Sequence, residues 1–267
     1  MNFIQKLENA QKKLKSLVSV GLDPHMAHLP KRFLKQKYPQ FSFNTWIIEE
    51  TNKYCSVFKP QFAAYEARGS RGFEELEMTM EWVQKNYPDH ILIADAKRGD
   101  IGSTNDEYAK AIFDHFGFDA ITLHPYLGQE ALEPFLKRRE KGCIILCRTS
   151  NPGAGEFQDL RVHSSIPLWK QVATNIKDHW NQNNNCLLVV GATYPTELGE
   201  LRKLVGEMPF LVPGIGAQGG DLEAVLKLGL NSQKAGLIIH ASRSIIFAES
   251  PIDEAMKLSE QINTLAQ

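Results

Sequence analysis

Eight short apolar runs recur along this chain, and between each and the next lies a segment with apolar residues at three-to-four spacing. The runs are SLVSVGLD (16–23), CSVFKPQ (55–61), HILIADAK (90–97), DAITLHP (119–125), CIILCRTS (143–150), CLLVVGAT (186–193), FLVPGIG (210–216) and GLIIHAS (236–242). Near-continuous apolar character over about five residues marks a strand buried on both faces, because a half-solvated strand would alternate. The segments between, such as FEELEMTMEWVQKNY and GDLEAVLKLGL, read as amphipathic helices. Ser42 or Asn44 is expected to cap the first of these, and Pro195 and Pro251 to stand in first turns. Strands alternating with helices imply parallel pairing through crossover connections. Eight such units in 267 residues predict an α/β fold of one kind, a closed (β/α)8 TIM barrel, rather than an open doubly wound sheet. No Pro/Ser-rich linker interrupts the pattern, so residues 1–267 read as a single barrel domain. The stretch MNFIQKLENAQKKLKSL adds an extra N-terminal helix ahead of the first strand.

Composition narrows the functional classes. Lys and Arg number 30 against 31 Asp and Glu, a net charge of −1, which provides no basic face for nucleic acid. No run approaches the ~20 apolar residues of a membrane span. The N-terminus lacks the apolar centre and small-residue cleavage site of a signal peptide, so a cytoplasmic protein is expected. Cys55, Cys143, Cys147 and Cys186 lie in or beside the apolar runs, with neither a His nor a second Cys at zinc spacing. They read as core residues, since a free cysteine packs as a small hydrophobe.

A barrel restricts where chemistry can be. Active sites in this architecture occupy the C-terminal ends of the strands and the loops that follow. The polar residues that end the apolar runs are therefore the informative ones: Asp23, Lys59, the stretch Asp95–Asp100, His124, Arg148–Ser150, Gly214–Gly219 and Arg243. The starts of the strands carry little chemistry.

The densest of these signals is DAKRGD (95–100). Period-two alternation puts Asp95 and Lys97 on one side of a strand, and Lys59 ends the preceding strand, ~5 Å away in a parallel sheet. A solvated, charge-balanced loop has a similar composition, but these charges interrupt buried strands, where ionised groups occur when paired or functional. A row of Lys59, Asp95 and Lys97 at the barrel mouth is expected.

DAKRGDIGST resembles the Asp-x-Lys-x-x-Asp-Ile-x-x-Thr signature of the orotidine 5′-phosphate decarboxylase family. GLDP (21–24), FKPQFAAYEARG (58–69), RTSNPG (148–153), PGIGAQGGD (213–221) and SRS (242–244) look like that family's other blocks in the same order. The resemblance spans essentially the whole chain and is closest to the longer bacterial branch. It implies decarboxylation of orotidine 5′-monophosphate to uridine 5′-monophosphate, the last step of de novo UMP synthesis, without metal or cofactor. It also implies that Lys97 protonates C6 of the pyrimidine, that Asp95 lies against the departing carboxylate, and that Lys59 and Asp100 hold Asp95 and Lys97 in place. Asp100 and Thr104 would reach the site of a second subunit, making a homodimer the expected unit. Asp23 would accept hydrogen bonds from ribose hydroxyls, and Ser150 would read the amide edge of the base.

The stretch 214–219 matches G-x-G-x-x-G, but it falls late in the chain and lacks the acidic residue that a dinucleotide site places some 20 positions on. Glycines ahead of a helix equally cradle one phosphate through backbone N–H groups. Gly216, Gln218, Gly219 and Arg243 are the expected phosphate ligands, with Arg243 charge-assisted. The polar segment 151–159 is long enough to form a lid. Two other readings compete: a metal-dependent sugar-phosphate decarboxylase or aldolase sharing Asp-x-Lys-x-x-Asp, and an NADP-linked oxidoreductase using the glycine stretch.

Overall fold

The computed structural model describes residues 1–162, 165–215 and 219–266. Among them, eight parallel strands close into a barrel in sequence order: β1 (Val18–Leu22), β2 (Val57–Pro60), β3 (Ile91–Arg98), β4 (Ala120–Leu123), β5 (Gly142–Arg148), β6 (Cys186–Val190), β7 (Phe210–Pro213) and β8 (Leu237–Ala241). The ring shuts where Val18 of β1 stands opposite Ile239 of β8. The expected TIM barrel is the fold, and the helix α1 (Phe3–Leu14) precedes β1 as anticipated. No helix among the described residues is long and apolar enough to cross a membrane.

Strand alternation sorts the core into two bodies. Val20, Phe58, Leu92, Ile121, Ile145, Leu188, Val212 and Ile239 face outward into the layer between sheet and helices. Val57, Ile91, Ile93, Ala120, Ile144, Leu187, Val189, Leu211 and Ile238 face inward and fill the lumen. The four cysteines, all free and buried, belong to the outer body, and burial pushes the Cys186 thiol up to about 12. They pack as the sequence led us to expect.

The lumen is closed from below by α1. Asn2 caps this helix in a reciprocal box with Gln5, its Oδ1 accepting from Gln5 N–H at 2.9 Å. Phe3, Ile4, Leu7 and Ala10 follow at helical spacing and join the lumen cluster. Phe3 is fully buried, and a Cβ on Gly142 would stand 2.5 Å from its ring, so a residue larger than glycine would displace it. This end also holds polar groups that sequence reasoning passed over. Asp119 accepts from Lys6 Nζ at 2.5 Å and from Leu92 N–H at 3.0 Å. Asn185, fully buried, turns its amide nitrogen, which has two hydrogens to donate, toward the carbonyls of Leu136, Arg138 and Lys141, all within 3.1 Å.

Helix starts divide. Pro195 and Pro251 open the helices Pro195–Val205 and Pro251–Leu265 as expected. Neither Ser42 nor Asn44 caps the helix they were expected to open, Pro39–Thr51, which begins ahead of both. Asn44 is buried inside it, where its amide donates to Tyr65 Oη and Thr79 Oγ1 instead of to a helix end.

Candidate active site

The C-terminal ends of the strands surround a cavity of about 520 Å³. Its floor is the charged row that alternation anticipated. Lys59, inward on β2, is 3% exposed and its Nζ lies 2.5 Å from Asp95 Oδ2. Lys97 Nζ approaches the other oxygen, Oδ1, at 2.6 Å, and its side chain remains half-exposed to the cavity. Two neutral donors complete the set: Gln61 Nε2 reaches Oδ2 at 3.2 Å and Thr122 Oγ1 reaches Oδ1 at 2.9 Å. A carboxylate offers about four lone-pair positions, so Asp95 is saturated. Burial alone would push its carboxyl up, but the adjacent Lys59 and Lys97 ammonium groups outweigh it and hold the group well below the usual carboxylate range. Asp95 is therefore an anion at any physiological pH.

The backbone does not reach Lys97 by regular alternation. β3 loses register with β4 between Ala94 and Arg98, and Lys97 has a φ of 45°. Arg98, turned the other way, pairs with Glu66. Asp100 stays in the following loop, where its Oδ1 accepts from Ile101 N–H at 2.7 Å. Neither it nor Thr104, in the helix Gly102–Ala109, lines this cavity, so the structure does not bring them to Lys97 within one chain.

Around the rim, Asp23 follows β1 and accepts from Ser242 Oγ at 2.5 Å. Its other oxygen, Oδ1, is buried without a hydrogen-bond partner among the described residues. Gly21 makes the approach of Ser242 possible, because a Cβ there would lie 2.5 Å from Ser242 Cβ. Ser150 and Gly214 line the cavity, as does Arg243 at the start of the short helix Arg243–Ile246. Gly219 is exposed with a φ of 74°. Gly216 and Gln218 lie outside the described residues. The segment 151–159 folds back on the end of β5: Gln158 Oε1 accepts from Thr149 N–H at 2.9 Å, and Asp159 lies 3.3 Å from Arg148.

The walls differ. On β5, β6 and β7 the inward residues are Leu146, Val189 and Leu211, all apolar. On β8, His240 faces in with its Nδ1 3.1 Å from Ser19 Oγ. Burial, with Lys59 nearby, holds this imidazole well below its usual value, so it is neutral. Gln61, Thr122, Gln158, His240 and Ser242 are among the polar lining residues that sequence reasoning did not single out for the site. Thr122 and His240 had a signal, polar residues inside buried runs; Gln61 and Ser242 end their runs and Gln158 lies beyond one, and all three look like ordinary loop residues.

An ion-paired anion between two lysines, set at the mouth of a TIM barrel, defines a barrel enzyme that works on a small molecule by electrostatics and proton transfer. Comparison with known proteins makes the class specific. The family model described as orotidine 5′-phosphate decarboxylase / HUMPS family matches residues 16–258. The orotidine 5′-phosphate decarboxylase of Cellvibrio japonicus is 46% identical over 98% of this chain and 98% of its own. The structure of Leishmania donovani OMP decarboxylase superposes with a TM-score of 0.88 at 35% identity, covering 100% of this chain and 99% of that one. The structure of Leishmania donovani UMP synthase gives 0.90 at 37% identity, with this chain spanning 57% of its length. The chain belongs to the orotidine 5′-phosphate decarboxylase / HUMPS family.

Proposed function

We propose that this protein decarboxylates orotidine 5′-monophosphate to uridine 5′-monophosphate and carbon dioxide, with residues 1–267 acting as one catalytic barrel domain. The observation that carries the reading is the Lys59–Asp95–Lys97 row beneath the cavity. Loss of a carboxylate from an sp² carbon leaves a carbanion with no electron sink, so the site must stabilise negative charge at C6. Lys97, ammonium toward the cavity, does this and then delivers the proton. The apolar wall of Leu146, Val189 and Leu211 keeps that field unscreened.

Asp95 contributes in a second way. Two anions ~4 Å apart repel by about 4 kcal/mol at an effective dielectric near 20. Here four donors already compensate the carboxylate, so that figure is a ceiling, and the work of Asp95 is chiefly to hold both lysines in place. The free Oδ1 of Asp23 is an acceptor suited to a ribose hydroxyl, with Ser242 fixing the other oxygen. Ser150 reads the amide edge of the pyrimidine. Arg243 and Gly219, with Gly216 and Gln218, bind the phosphate, and the segment 151–159 closes over the bound nucleotide. The binding energy of that remote phosphate is then available for closure and water exclusion.

Asp100 and Thr104 complete the site of a second copy, which makes the working unit a cytoplasmic homodimer. Their position away from the cavity of their own chain supports this. The metal-dependent alternative is not favoured: among the described residues no three His, Cys, Asp or Glu side chains converge as a metal site. A spectrophotometric assay with orotidylate, with and without a chelator, tests the reading. Turnover unaffected by the chelator is expected; an absence of turnover overturns it.

A further inference from the structure

β3 and β4 keep register as far as Ala94 opposite Ile121 and regain it at Arg98 opposite Leu123. Asp95, Ala96 and Lys97 therefore stand against the single residue Thr122. Such an excess on one strand leaves backbone groups without ladder partners and re-aims a side chain. At Lys97 the φ of 45° is one that a residue with a Cβ keeps only where its surroundings hold it.

What holds it is one hydroxyl. Lys97 N–H donates to Thr122 Oγ1 at 3.0 Å, and Thr122 O–H donates in turn to Asp95 Oδ1 at 2.9 Å. Ala94 O also lies 3.5 Å from that hydroxyl, but a hydroxyl carries one proton, and the nearer, charged acceptor takes it. Asp95 Oδ1 is the same oxygen that receives Lys97 Nζ. A closed circuit thus runs from the backbone of Lys97 through Thr122 and Asp95 back to its own ammonium group. Thr122 is 1% exposed, so bulk water cannot replace it.

We propose that Thr122 is the positioning residue for the proton donor: its hydroxyl fixes both the left-handed backbone of Lys97 and the carboxylate on which the ammonium rests, aiming the amine before substrate arrives. The inference rests on the reading of Lys97 as the acid. Without the hydroxyl, Lys97 N–H loses its partner, the backbone relaxes toward ordinary φ, and the amine leaves its line. Binding groups elsewhere on the rim are untouched, so the loss falls on turnover rather than on affinity.

Thr122→Val keeps the β-branched shape and removes the hydroxyl, whereas Thr122→Ser keeps the hydroxyl. In the full chain, Thr122→Val should lower kcat for orotidylate by about 10- to 100-fold, the scale of a roughly 1 Å misplacement. KM and the affinity for UMP should stay within about three-fold, and Thr122→Ser should restore kcat to within about three-fold of the parent. A valine variant as fast as the parent, or a serine variant as slow as the valine one, overturns the proposal; equal losses in kcat and UMP affinity do so too. A parent chain that binds UMP yet never turns over orotidylate would instead sink the decarboxylase reading. The positioning role is then read from crystal structures of parent and valine variant, where a Lys97 φ still near 45° without the hydroxyl overturns it. Should the valine chain fail to fold, Thr122→Ala against Thr122→Ser makes the same comparison.

Discussion

At the N-terminal end of the strands the lumen is packed with Phe3, Ile4 and Leu7 from α1 against Val57, Ile91 and Ala120, while at the opposite end the inward positions of the same strands carry Lys59, Asp95 and Thr122. Lys59 stands only two positions beyond Val57 along β2, and Asp95 two beyond Ile93 along β3. The contrast teaches that in a closed parallel sheet the side a residue faces is set by parity, and its chemistry by how far along the strand it stands. The dry end holds the barrel shut. The charged end is tolerable because every ionised group on its floor has a partner: Lys59 and Lys97 share one carboxylate, and burial keeps His240 neutral.

That contrast can be broken at either end. The largest effect is expected at the mouth. Lys97→Ala should cut kcat by more than about 10³-fold, since it removes both the field and the acid, while the melting temperature moves by a few degrees at most. Substantial remaining turnover would show that the row is merely structural. Phe3→Ala probes the other end. It should lower unfolding free energy by about 3–5 kcal/mol in a denaturant titration and leave kcat/KM within about two-fold below the transition. A matching loss of activity would mean that the two ends are coupled.

Smaller effects sharpen the division within the mouth. Arg243→Ala should raise KM about 10- to 100-fold, the value of one or two hydrogen bonds to a charged group, with a lesser change in kcat. An unchanged KM would move the phosphate elsewhere. Mixing Asp100→Ala with Lys97→Ala chains should recover about a quarter of the parent activity, because half the dimers are mixed and each has one intact site. No recovery on mixing would place Asp100 in its own subunit's service.

Much of this was legible in the sequence, for identifiable reasons. The barrel announced itself through eight buried runs, and Lys59, Asp95 and Lys97 stood out because ionised residues rarely interrupt such runs. Lys97 does sit beside Asp95 as alternation expects, but through a lost register and a left-handed residue that period-two counting does not describe. Thr122, Gln61 and Ser242 escaped because each owes its role to a partner on another strand or loop: Asp95 for the first two, Asp23 for the third. Asn44 misled for a related reason. Its amide looks like a helix cap from local sequence, yet Tyr65 and Thr79 claim it from across the layer. Local pattern names the elements and the charged groups; cross-strand register decides which neutral hydroxyls and amides serve them.

Because α1 stoppers the far end of the cylinder, the chamber above Lys97 opens, among the described residues, at the C-terminal ends of the strands. What enters there faces the same rim on leaving, and a gaseous product formed at the bottom meets the nucleotide left above it. Traffic through that opening, beside which the segment 151–159 lies against the end of β5, then sets how long each visitor stays.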